Sequence, residues 1–174
     1  MRIRMWGLVA ALGLLAAGCA GAGERGTGGG PTEPKEPEPS PQESELTITA
    51  FDFGFDTGGV ISLPPGQVTF TMTNEGKQPH HAQFLLLNDG VTYEDFAAAV
   101  EAHPAPADDD FAPEIRELYD PPAAGVLSWV SKGEEISPRD QLDAGGYVLI
   151  CAIKDPKSGR RHYEIGMLQP FEIG

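Results

Sequence analysis

Apolar side chains recur at every second position in three stretches of this chain. They are Leu46, Ile48 and Ala50; Val68, Phe70 and Met72; and Ala82, Phe84 and Leu86, with His80 in phase. A period of two puts successive side chains on opposite faces, so each stretch reads as a strand with one inward face. Pro64-Pro65-Gly66 and Asn74-Glu75-Gly76-Lys77 read as turns between strands. Further strand-like runs cover 60–63, 124–130, 134–142, 146–153 and 166–173. Seven or eight short strands separated by turns predict an all-β Greek-key sandwich. One segment breaks the pattern. Thr92 stands at an N-cap position with Asp95 three residues on, and Phe96, Ala99 and Val100 share a helical face. Pro104 and Pro106 end that helix, and a second short one is expected over 113–119. Residues 88–123 are therefore expected to form a mostly helical insertion.

The strands begin only after residue 44. Residues 1–19 read as a bacterial lipoprotein signal: Arg2 and Arg4, an apolar core from 8 to 17, then Leu15-Ala16-Ala17-Gly18-Cys19 as a lipobox. Cys19 is the expected lipidation site and the membrane anchor. Residues 20–44 are rich in Gly, Pro and Glu, with almost no large apolar side chain. Such a composition cannot offset the entropy of ordering and reads as a disordered tether. The folded domain is expected over 45–174, long enough for a core of its own. The chain carries 12 basic and 26 acidic residues; removal of the signal takes two of the basic ones. So acidic a protein is a poor ligand for nucleic acid or for an anionic lipid surface.

With Cys19 assigned to lipid, Cys151 has no cysteine left to pair with. An unpaired thiol in an exported protein is exposed to oxidation unless it is buried or metal-bound. Cys151 follows the strand-like run Tyr147-Val148-Leu149-Ile150, and His162 and Met167 follow it with spacing Cys-x10-His-x4-Met. His80 and His81 follow another turn about 70 residues earlier. Thiolate, two imidazoles and a thioether make the donor set of a blue-copper site. The remaining candidates are weaker: Asp108-Asp109-Asp110 lacks calcium-ligand spacing and reads as a solvated acidic loop.

Two segments together resemble the cupredoxins, the plastocyanin/azurin-like superfamily. Gln67-Val68-Thr69-Phe70, then Asn74, Gly76 and Pro79-His80, is similar to their strand, loop and first histidine. Gly145 through Cys151, then His162 and Gly166-Met167, is similar to their C-terminal ligand loop. The resemblance covers roughly 45–87 and 124–174. It implies one type 1 copper ion with His80, Cys151 and His162 as equatorial ligands and Met167 as the axial one. His81 is the alternative to His80; Pro79 and the strand alternation favour His80. Members of the superfamily place only a few residues between the cysteine and the second histidine, whereas ten stand here. Added loop length costs little, so the loop can still return His162 to the site.

The function so implied is that of an extracytoplasmic, lipid-anchored carrier of single electrons rather than an enzyme. Copper storage or delivery and a metal-free binding module are the alternatives. Lys154, Lys157, Arg160 and Arg161 cluster in the ligand loop of an otherwise acidic chain. They are a candidate docking patch for an acidic redox partner.

Overall fold

The alternating segments become the inner strands of two stacked sheets. A computed structural model describes residues 42–174; the signal, Cys19 and all but the last residues of the tether lie outside the described residues. In chain order the first strands are β1 (Glu43–Phe51), β2 (Gly54–Asp56), β3 (Ser62–Leu63), β4 (Gly66–Asn74) and β5 (His80–Leu87). Helices α1 (Tyr93–Ala102) and α2 (Pro113–Arg116) follow. The chain then runs through β6 (Tyr119–Val130), β7 (Glu135–Ile136), β8 (Arg139–Leu142) and β9 (Gly145–Ile150). A 3-10 turn over His162–Ile165 leads into β10 (Leu168–Ile173).

One sheet has the order β2-β1-β4-β7, with β8 also on β4; the other runs β3-β10-β9-β5-β6. Strands β1 and β4 pair in parallel, which sets Leu46 beside Phe70 and Ile48 beside Met72. These four are fully buried, as are Val68, Phe84 and Leu149 from the two facing sheets. Burial of each such side chain contributes roughly 1.5–3 kcal/mol, so this shared layer is the main source of stability.

The second sheet is covered on both sides. Ala82 and Phe84 of β5, with Leu149 of β9, face the sandwich core. Leu85, Leu87, Val148 and Ile150 face instead a second apolar cluster with Phe96, Val100, Phe111 and Ile115 of the insertion. Strand β5 therefore has two buried faces rather than the single inward face its alternation predicts. The Thr92–Asp95 capping box forms as expected, with Asp95 N–H bonded to Thr92 Oγ1 and the Asp95 carboxylate returning to Thr92 N–H.

The insertion is shorter than expected. Strand β6 begins at Tyr119, not near 124, and its first residues pair Leu87 with Tyr119 and Leu86 with Asp120. Pro121 and Pro122 hide this from a sequence pattern. Proline lacks the ladder N–H, but β6 is an edge strand with a register shift there, so the loss is tolerated. The expected strand 134–142 is likewise split, with Ser137-Pro138 between β7 and β8.

Candidate metal centre

His80, Cys151 and His162 converge at one end of the sandwich, and all three are buried. His80 opens β5 and Cys151 directly follows β9, its antiparallel neighbour. Cys151 Sγ lies 3.4 Å from His162 Nδ1 and 3.9 Å from His80 Nδ1. A trigonal first-row ion with bonds of about 2.3 Å to sulfur and about 2.0 Å to nitrogen requires S···N separations of about 3.7 Å. The donor atoms are thus already spaced for an ion. Met167 is fully buried next to them; its N–H donates to the His162 carbonyl at 2.9 Å, and its carbonyl accepts from Cys151 N–H at 3.2 Å.

Strand alternation separates the two adjacent histidines. His80 takes the inner face. His81 points to the outer one, where its Nε2 accepts the Ala152 N–H at 2.7 Å. His81 is therefore a buried fastener between β5 and the ligand loop rather than a member of the cluster.

The outer ring nitrogens of the clustered histidines meet acceptors that sequence reading did not single out. His80 Nε2 lies 3.2 Å from Asp52 Oδ1, and His162 Nε2 lies 3.2 Å from Gln78 Oε1. The orientation of Gln78 is fixed because its amide Nε2 donates to Asp155 Oδ1 at 2.9 Å. Both imidazoles therefore carry their proton on Nε2 and turn the Nδ1 lone pair toward Cys151. This is the outer hydrogen-bonding shell that orients metal-binding histidines. Asp52 and Gln78 left no sequence signal, since they lie 28 and 84 residues from the histidines they hold.

Electrostatics agree with a site for a cation. Burial pushes the Cys151 thiol up to about 11, although the backbone N–H groups of His81 and Ile153 partly offset this. Burial, then the nearness of His80, pushes His162 down to about 4. Burial also lowers His80, against the pull of Asp52. At neutral pH both Nδ1 atoms are free to donate, and a bound cation displaces only the thiol proton.

The ten-residue excursion between Cys151 and His162 is closed off at its base. Lys154 and Arg161 form a β-bridge, Asp155 N–H donates to the Arg160 carbonyl, and His162 N–H donates to the Ile153 carbonyl. The extra length is a small hairpin that leaves Cys151 and His162 as near neighbours. Gly166, with φ 113°, then turns the chain from the 3-10 turn toward β10.

The four basic residues of this loop have different surroundings. Arg161 is mostly buried: it donates to the carbonyls of Asp109 and Ala152 and pairs with Asp110 at 3.0 Å. It fastens the insertion to the loop that carries His162, while the Asp110 carboxylate stays largely exposed. Asp109 likewise pairs with Arg116. Lys154 donates to the Ala107 carbonyl, and Arg160 to the Glu164 carbonyl. Lys157 instead lines a depression of about 300 Å³ with Asp52, Phe53, Lys77, Gln78, Asp155 and Pro156.

No family model matches the chain, and no curated protein matches it. Among solved structures it is similar to reduced auracyanin from the photosynthetic bacterium Roseiflexus castenholzii. That match has 21% identity and a TM-score of 0.44, over 76% of this chain and 96% of the other. It is also similar to rusticyanin from Thiobacillus ferrooxidans, with 16% identity and a TM-score of 0.47, over 78% and 79% of the two chains. A third is auracyanin A of Chloroflexus aurantiacus, described as a "blue" copper protein, with 17% identity and a TM-score of 0.41 over 76% and 100%. Likeness at this level concerns the outline of the fold; the chemistry of the centre follows from its own residues.

Proposed function

We propose that this chain is an extracytoplasmic type 1 copper protein that carries single electrons, held to a membrane through Cys19 and the tether 20–44. The reading rests on one observation above all: two Nδ1 lone pairs and one sulfur converge in a buried site, each imidazole held from behind by an acceptor at Nε2. His80, Cys151 and His162 would hold the ion, with the buried Met167 as the candidate fourth donor. When bound, copper supplies a one-electron couple. The protein's part is to hold the same donors for both oxidation states. Rigid strands at His80 and Cys151, and the pinned loop at His162, serve that purpose.

The depression over the site is the proposed partner contact. Its lining residues Asp52 and Gln78 are hydrogen-bonded to the two ligand histidines, and Phe53 stacks edge-on against His162 with ring centroids 5.0 Å apart. Lys77 and Lys157 at its rim are exposed and form no ion pair among the described residues. An acidic one-electron protein is the partner such a rim would steer.

The direct test is titration of the soluble domain, residues 42–174 with the whole of β1, with Cu(II), followed by visible absorption, beside Cys151→Ala. An intense thiolate-to-copper band at one equivalent, lost in C151A, is expected. Tight binding without that band would favour copper delivery or storage, and no stoichiometric binding would leave a metal-free binding module.

A further inference from the structure

The two ligand histidines are backed by unlike partners. Behind His162 stands a neutral amide, Gln78; behind His80 stands a carboxylate, Asp52. Asp52 Oδ1 also accepts the N–H groups of Lys77 at 2.8 Å and Gln78 at 3.2 Å, so the loop that precedes His80 is wrapped around this one oxygen. Burial alone would raise this carboxyl. The Gln78 and Lys77 N–H donors and the His80 ring outweigh it, and the group sits below the usual carboxylate range. The arrangement is closed from above by Gly76. A β-carbon there would lie 2.6 Å from Asp52 Oδ1 and 2.8 Å from His80 Nε2, so only glycine leaves the pair in contact.

We propose that Asp52 sets the reduction potential of the centre, its negative charge behind His80 favouring the oxidised, more highly charged ion over the reduced one. The inference rests on the copper reading above and deepens it. Reduction adds one electron and no proton to the site, so the ion passes from a 2+ to a 1+ charge. A carboxylate one imidazole away interacts more strongly with the former. It also increases the donor strength of Nδ1 by drawing on the Nε2 proton. Both effects have the same sign, toward a lower potential. Gln78 is neutral, so His162 feels a carboxylate only at longer range, from Asp155 beyond the Gln78 amide and from Asp52 itself. Asp52 is a positioning and tuning residue; it does not touch the ion.

The test is a voltammetric comparison at an electrode of wild type, Asp52→Asn, Gly76→Ala and Asp89→Asn, each first loaded with copper and checked for the absorption band. Asparagine keeps the accepting oxygen, to which all three hydrogen bonds run, and removes only the charge. D52N is expected to keep the band and to shift the Cu(I)-to-Cu(II) affinity ratio roughly tenfold toward Cu(I). For one electron that is a rise of about 59 mV. G76A, which wedges the pair apart, should shift the potential in the same direction. Asp89 lies exposed beyond the far end of β5 and controls for net charge, so D89N should leave the potential unchanged. The Nε2 proton of His80, followed by NMR in the Cu(I) protein, gives a readout of the hydrogen bond that is independent of the potential. An unchanged potential in D52N with the band intact would overturn the proposal. So would an equal rise in D89N, or loss of the band in D52N, which would make Asp52 a holding residue instead. A wild-type protein that binds no copper defeats the underlying reading, and this inference falls with it, before any variant is compared.

Discussion

Asn74 does at the residue scale what a whole turn would otherwise need several groups to do. It is fully buried at the end of β4. Its Oδ1 accepts the Gly76 N–H, and its Nδ2 donates to the carbonyls of Gln78 and Val130, each at 2.7–2.8 Å. Those bonds fix 75–79, the loop that presents Gln78 to His162 and leads into His80. Asn74→Ala leaves two carbonyls and one N–H without their partner, so a loss of about 2–4 kcal/mol is expected. Copper affinity should fall with it, since the outer shell loosens. Urea unfolding of the metal-free protein measures the first effect; a loss below about 1 kcal/mol would show that water replaces the side chain. That His80, Cys151 and His162 come together was legible from the sequence. A period of two sorts His80 from His81, and the lone Cys151 marks the centre. The outer shell was not legible, because nothing local to Asp52 or Gln78 distinguishes them from loop residues until the fold sets them behind an imidazole.

At the scale of elements, the hairpin between Cys151 and His162 depends on Asp155. Its carboxylate accepts from the Ser158 hydroxyl and N–H and from the Gln78 amide, which together hold it well below the usual carboxylate range. A carboxyl so depressed adds stability that is fully present above its unfolded value, about 3.9, and is lost as pH falls toward the folded one. Asp155→Asn is therefore expected to cost stability at pH 7 and to cost progressively less below about pH 4. Thermal unfolding of both proteins from pH 7 to pH 3 measures the gap, and a gap that widens on acidification would contradict this role. The sequence shows ten residues between Cys151 and His162 but no sign of the bridge that closes them into a hairpin, since Lys154 and Arg161 are unremarkable as neighbours. Helix α1 was legible from its capping box. The start of β6 was not, because its paired prolines resemble a break until the edge position and the register shift accommodate them.

At the scale of the molecule, charge and fold act together. The chain is strongly acidic, with a formal net charge of −14, yet two lysines without an ion pair among the described residues flank the depression nearest His80 and His162. Long-range repulsion between two acidic proteins would slow encounter least where Lys77 and Lys157 offset the carboxylates of Asp52 and Asp155 in the depression. Lys77→Ala combined with Lys157→Ala is thus expected to slow bimolecular electron transfer with an acidic one-electron partner by several-fold at low ionic strength. The difference should fade as salt shortens the screening length to about 8 Å near 0.15 M. Arg161→Ala should behave differently: its side chain is spent on the carbonyls of Asp109 and Ala152, so thermal stability falls. Stopped-flow rates over a salt series separate steering from folding. Equal rates for the double lysine variant and wild type at low salt would remove the depression as the docking site. A strong rate loss in a stably folded Arg161 variant would move that site back toward the hairpin.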